Sequence, residues 1–249
     1  MTKYTFSKLF SQDFPFIIWK IVADPLSAML GIELRHPEST LPILYSLDFK
    51  GNIHHKALEL SPKEWTLDAI RKDKLILKKV GDYQPVKEGV QIIDGHGHAV
   101  FTSEEHVLLH SDQHYLQLRH RSFQSGFEHY VNLDDYSVSQ QAPTPKAAAV
   151  PILEIPQFYS GPKPAYLQTV TMADGLWLSR WEDKFLWTYH RQEKDKYQLI
   201  LCIADESNLL HTEIMMEDMP KMIPQPYFQI GNQLFLLSYN KQEIVSYLL

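Results

Sequence analysis

Apolar and polar residues alternate with a period of two along most of the chain, as in Leu75-Ile-Leu-Lys-Lys-Val80, Leu116-Gln-Leu-Arg-His120 and Leu234-Phe-Leu-Leu237. That period sends successive side chains to opposite faces of a strand, and most runs stop at Gly, Asp, Asn or Pro, which turn the chain. No segment holds an i, i+3, i+4, i+7 apolar stripe through three helical turns. One helix start is present at Ser61-Pro62-Lys63-Glu64, with a capping Ser, Pro at the first helical position and Glu at the third. The residues from Trp65 onward return to a β pattern, so a single turn leading into a strand is predicted.

The turns themselves repeat. Asp73-Lys-Leu-Ile-Leu77, Asp112-Gln-His-Tyr-Leu116, Asp174-Gly-Leu-Trp-Leu178 and Asn232-Gln-Leu-Phe-Leu236 each read as a tight hairpin whose Asp or Asn begins the turn. A second set interleaves with the first, around Lys50, Gly95, Ser125, Glu206 and Lys241. Its spacing is uneven, widest between Ser125 and Glu206. That gap holds the one compositional break, a segment at about residues 142–165 that carries Pro143, Pro145, Pro151, Pro156, Pro162 and Pro164. Proline fixes φ and removes a donor, so this stretch is expected to cross the surface in an extended form rather than as a central strand.

Two interleaved hairpins per unit of about 40–50 residues amount to four strands per unit, the repeat of a β-propeller blade. On these Asp/Asn-x-Leu hairpins the chain resembles β-propeller-type repeats, and over most of its length it is similar to an uncharacterised bacterial family of unknown function. The first resemblance implies an all-β, propeller-like fold of about five four-stranded units; the second implies no catalytic residues. An irregular β-sandwich or an incomplete propeller is the alternative fold. Residues 1–249 are expected to form a single domain, with Tyr4 to Phe10 pairing with the last unit so that no sheet edge is left bare.

Composition narrows the function. The chain has 249 residues, of which 44% are hydrophobic and 12% aromatic, enough for a core that needs no disulfide or metal. Its single cysteine, Cys202, excludes a disulfide scaffold or a Cys-rich zinc site and reads as a buried, unreactive thiol. With 24 basic and 30 acidic residues the net charge is −6, which argues against nucleic acid or an anionic membrane as partner. The apolar stretch from Phe14 to Val22 is interrupted by Pro15 and Lys20 and is too short to span a bilayer. A cytoplasmic protein is expected.

Candidate chemistry gathers in a few places. Most of the twelve histidines lie between His96 and His129. If His96 and His98 stood on one strand face, two imidazoles could meet one metal, with Asp94 as an oxygen ligand. His106-Val-Leu-Leu-His110 has metalloprotease spacing but lacks the glutamate that chemistry requires. Acidic doublets such as Asp134-Asp135 and Glu182-Asp183 could supply paired carboxylates, though acids beside turns are ordinary. Alternation puts Trp177 and Trp181 on one face of a strand and Arg180 on the other, a possible partner or ligand surface or, more simply, core packing. Met215, Met216, Met219 and Met222 read as an apolar loop folded onto its own domain. No nucleotide loop, nucleophile elbow or calcium loop is present. The expectation is a non-catalytic binding or protein-interaction module without a cofactor, its partner an unidentified small molecule or protein held near the hairpin turns. The alternative is a metal-dependent or carboxylate-based hydrolase or lyase that uses the His96–His129 region.

Overall fold

The computed structural model describes residues 6–81, 87–144 and 151–249, and these form an all-β, propeller-like fold of five antiparallel sheets with four or five strands each. Five sheets, rather than the two faces of a sandwich, are what the repeated hairpins dictate. The chain divides into two compact units, one made of Met1–Pro15 with Pro151–Leu249 and the other of Phe16–Val150.

After β1 (Ser7–Asp13), which belongs to the first unit, the second unit is three meanders in chain order. The first is β2 (Ile18–Asp24), β3 (Met29–Arg35), β4 (Pro42–Asp48) and β5 (Ile53–Glu59). The second is β6 (Trp65–Arg71), β7 (Lys74–Lys79), β8 (Lys87–Ile93) and β9 (Ala99–Ser103). The third is β10 (His106–Ser111), β11 (Tyr115–His120), β12 (Glu128–Asn132) and β13 (Val138–Ser139). Alternate residues of neighbouring sheets meet in dry layers. Met29, Leu44, Leu67, Ile70 and Leu75 lie between the first two sheets, and Ile76, Ile92, Leu116, Leu118 and Val131 between the second and third.

The other unit holds β14 (Leu153–Glu154), β15 (Gln157–Tyr159), β16 (Leu176–Trp181), β17 (Lys184–Glu193), β18 (Lys196–Ala204), β19 (Leu209–Met219), β20 (Phe228–Ile230), β21 (Gln233–Leu237) and β22 (Glu243–Leu248). One sheet runs β15 to β19 in order; the other is β1-β22-β21-β20-β14. The predicted pairing of the N-terminal segment with the last strands is present, β1 running antiparallel to β22 from Ser7 opposite Leu248 to Asp13 opposite Glu243. Tyr4 and Thr5 lie outside the described residues. In the proline-rich segment, Pro145 to Val150 also lie outside them. Beyond these, the segment gives only the short edge strands β14 and β15, as a stretch poor in donors must. Met215 and Met219 sit in the core of this unit, and burial raises the Cys202 thiol pKa, which keeps it protonated and inert.

Two turn designs recur. In the first, a two-residue turn begins with a left-handed residue and continues with Asp or Asn. It occurs at Lys72-Asp73 (φ 56° at Lys72), Glu182-Asp183 (φ 52° at Glu182), Lys194-Asp195 (φ 58° at Lys194) and Gly231-Asn232 (φ 57° at Gly231). The hairpin expected at Asp174 is therefore one turn away, at Asp183. Asp174 instead closes the long connection between β15 and β16, and its carboxylate accepts both the amide (2.9 Å) and the Nδ1–H (2.6 Å) of buried His190. In the first sheet, β2 turns into β3 through a longer connection, with Asp24 opposite Met29.

The second design is an Asx turn. Asp48 Oδ1 accepts the amides of Lys50 and Asn52, both at 2.9 Å. Asp94 Oδ1 accepts those of His96 (3.0 Å) and His98 (2.9 Å), and Asp205 Oδ1 those of Ser207 (2.8 Å) and Asn208 (2.7 Å). In the first two, the position before the last is a left-handed glycine, Gly51 (φ 90°) or Gly97 (φ 83°), a conformation that costs a side chain dearly.

One carboxylate ties the three meanders of the second unit together. Asp24 is fully buried and accepts from the Leu26 amide and the Ser27 hydroxyl in its own turn, from the Lys72 amide (2.9 Å) in the second sheet and from Gln113 Nε2 (2.6 Å) in the third. Asp24→Ala orphans these donors and is expected to destabilise the chain by about 3 kcal/mol or more, read as a lower denaturant midpoint. An unchanged midpoint would show that these bonds are dispensable.

Candidate binding groove

The third sheet turns its apolar residues Leu116, Leu118 and Val131 to the core, so alternation sends Tyr115, Gln117, Glu128, Tyr130 and Asn132 to the opposite face. Pairing sets them side by side, Tyr115 opposite Asn132, Gln117 opposite Tyr130, and Tyr130 opposite Ser139 of the edge strand β13. Beside them the turns Asp112–His114 and Leu133–Ser137 rise at the same end of the sheet, joined by the Leu133 amide donating to the His114 carbonyl (2.8 Å). The result is a groove of about 460 Å³, walled on the far side by Gln141, Ala142, Pro143 and Thr144.

Its polar groups are ordered before any ligand arrives. The Tyr115 and Tyr130 rings meet edge to face, with centroids 5.7 Å apart and planes at 67°. The Tyr130 hydroxyl donates to Glu128 Oε2 (3.0 Å), which raises its pKa, and Gln117 Nε2 donates to the same oxygen. Asn132 Oδ1 accepts the Asp134 amide (2.8 Å), and Asp112 Oδ1 the His114 amide (3.3 Å). Asp134 pairs with Lys72 Nζ at 2.7 Å, and this bond holds its carboxyl below the usual range. Tyr115, Tyr130 and Asn132 were not singled out in the sequence. The signal was there, since each stands at the polar phase of an alternating run beside a turn.

The residues expected from sequence are placed as follows. His96 and His98 lie in the β8–β9 turn rather than on a strand face; their rings are 6.4 Å apart and both are exposed. Asp94 is the residue that closes that turn, and its pKa is lowered by the His98 amide above all. Among the described residues no group of three or more His, Cys, Asp or Glu side chains is set to hold a metal ion. Trp177 packs edge-on against Phe158 (5.6 Å), and Trp181 is half-buried against the core of its unit. Arg180 leaves from the other face and lies over the Phe185 ring at 4.8 Å.

A second cluster lies near the other end of the third sheet and includes Ser103, the last residue of β9. Ser103 Oγ lies 2.7 Å from His106 Nδ1, and His106 Nε2 lies 3.0 Å from His129 Nδ1. His120 meets His106 edge-on (5.4 Å), and Phe123 and Phe127 continue the row of rings. Burial, then the nearness of His129 and His120, lowers the His106 pKa.

No protein-family model matches the sequence, and no curated protein matches it. Among solved structures it is similar to the β-propeller domain of the Trilobed protease from Pyrococcus furiosus, described as having an open velcro topology, at 10% identity and a TM-score of 0.34. That likeness covers 90% of this chain and 63% of the propeller domain, so the chain spans less than two thirds of its length. It is also similar to the AfRom2 CNH domain, at 9% identity and a TM-score of 0.23, over 98% of this chain and 99% of that one. Identity this low leaves the architecture to be read from the strand pairing. Among the described residues no helix is long and apolar enough to cross a membrane.

The imidazole cluster has a pH signature. His106 is harder to protonate in the folded chain than in the unfolded one, so its share of stability is present above the ordinary histidine pKa of about 6.5. That share is lost as the pH falls through the depressed folded value. NMR titration of the ring protons should find His106 titrating below about 6.5, and His106→Gln should flatten the dependence of the unfolding midpoint on pH in that range.

Proposed function

We propose that the chain is a non-catalytic binding module, and that the groove between the Asp112–His114 and Leu133–Ser137 turns holds its ligand. The observation that supports this reading is the groove itself, a concave site with preset aromatic and polar groups on an antiparallel sheet. Its volume falls within the about 300–1,000 Å³ usual for small-molecule sites. Its carboxylates are already engaged, Asp134 with Lys72 and Asp112 with the His114 amide, and nearby Glu128 holds Gln117 and Tyr130, an arrangement suited to holding rather than to moving protons. The groove lies beside the hairpin turns of the third sheet, away from Trp177, Arg180 and Trp181, the ligand surface expected from sequence. A cytoplasmic location and freedom from cofactors belong to the same proposal.

The rival is a hydrolase that uses the His96–His129 region, and one observation favours it. Ser103, His106 and His129 form a hydrogen-bonded chain in which His106 could take the serine proton while His129 orients the ring. Against it, Ser103 Oγ also accepts the amide of Glu105 at 3.4 Å, as a turn-closing serine does, and the groove does not reach this cluster.

Two measurements separate the readings. A mixture of small polar metabolites is expected to shift the backbone NMR signals of Tyr115 and Tyr130, and mass spectrometry after fluorophosphonate treatment is expected to find Ser103 unmodified. A Ser103 adduct that disappears in His106→Gln would replace the binding module with a serine hydrolase. Stoichiometric zinc or manganese in untagged protein would instead favour a metal-dependent enzyme.

A further inference from the structure

Resting on the reading of the groove as a ligand site, we infer that its ligand is a neutral saccharide, recognised by Tyr115 and Tyr130 together with Asp112, Asn132, Asp134 and Gln141. The inference comes from what the lining can and cannot satisfy.

An anionic ligand would need a cation. No Lys or Arg lines the groove, the nearby Lys72 ammonium is already paired with Asp134, and the one imidazole of the lining, His114, stands among the carboxylates of Asp112 and Asp134, which repel an anion. An apolar ligand would strip water from Asp112 and Asp134 and return no hydrogen bonds, a cost that the modest apolar contributions of Ala142 and Pro143 do not offset. A metal ion lacks its ligand set, as no three-ligand group exists among the described residues.

A saccharide meets each demand. Its hydroxyls both donate and accept, and the lining is rich in groups that take one or both roles. Asp112 and Asp134 accept, the Asn132 and Gln141 amides do both, and Ser137, Ser139 and Thr144 hydroxyls do both. Carboxylates and amides are planar forks, matched to pairs of adjacent hydroxyls. The C–H face of a pyranose is apolar and needs a flat partner, which a ring of the edge-to-face tyrosine pair supplies. The engaged geometry of Asn132, Asp112 and Asp134 fixes these forks in advance, so little side-chain entropy is lost on binding. The volume admits one or two sugar rings.

The test uses the full chain, labelled with nitrogen-15 and titrated separately with maltose, cellobiose, lactose and N,N′-diacetylchitobiose to tens of millimolar. Tetramethylammonium chloride and a mixture of small polar metabolites serve as parallel probes. At least one of these sugars should shift the amides of Tyr115 and Tyr130–Asn132 saturably. Tyr115→Ala should then weaken binding about tenfold, which is about 1.4 kcal/mol. Asp112→Asn keeps the oxygen that caps the His114 amide, so it should weaken binding without lowering the unfolding midpoint. Sugar binding that leaves these amides unmoved, or that survives Tyr115→Ala undiminished, overturns the inference. If tetramethylammonium or the metabolite mixture shifts the groove amides and none of the four sugars does, the saccharide is wrong and the groove still binds. If no probe of any class moves them, the ligand site itself is wrong.

Discussion

The buried carboxylates of the first meander are the constraint on which the second unit depends. Asp24 gives its oxygens to donors from three successive sheets, and Glu33, also fully buried, accepts the Thr66 hydroxyl and the Leu67 amide from the second sheet, each at 2.7 Å. Arg35 completes the second arrangement, pairing with Glu33 at 2.5 Å and donating to the carbonyls of Lys63 and Trp65. Dry layers between sheets supply most of the free energy but little direction, because apolar surfaces slide. A buried charge has no such tolerance; it must find its donors or cost several kcal/mol. These two side chains therefore fix the angle and register at which one meander meets the next, and with them the separation of the turns that line the groove. Lys72 shows the link: its amide is held by Asp24 while its ammonium holds Asp134 at the groove rim.

Much of this was legible in the sequence. Alternation gives the strands, and Asp48, Asp94, Asn132 and Asp205 stand where a short polar side chain can accept the next amides of a turn. The histidines of the Asp94 turn looked like chemistry only while they were placed on a strand. Once the turn is recognised, His96 and His98 occupy the positions that Lys50 and Asn52 hold in the turn of Asp48, so that pattern belongs to the backbone. What stayed hidden depends on distant partners. Asp174 and Asp183 offer similar local patterns, and only the claim of His190 on Asp174, sixteen residues on, decides between them. The ring contact of Tyr115 with Tyr130 likewise requires the register of β11 against β12, which the seven-residue connection Arg121–Phe127 does not announce.

The two clusters on the third sheet differ in the way a holding site differs from a reactive one. In the groove, Asp112 and Asp134 each hold one neighbouring donor and the tyrosine rings meet edge to face, so the lining is preset while carboxylate lone pairs remain to accept from a ligand. In the imidazole row, the protons can sit on either side of each bond, and burial and its neighbours make a charge on His106 unwelcome. The same alternation produced both, one at the polar phase of the strands and the other at the margin of the core phase.

The β1–β22 pairing has a consequence in time. Ser11 and Glu243, joined by a hydrogen bond across those strands, are 232 residues apart in sequence. A ribosome adds roughly 5–20 residues per second, so β1 leaves the exit tunnel on the order of tens of seconds before its partner exists. During that interval β1 exposes Leu9 and unpaired backbone groups, while the three meanders that follow can each close on local contacts as they emerge. β1 is thus made well before the strand that completes it, and the newborn chain must keep it from pairing with another copy until β22 emerges.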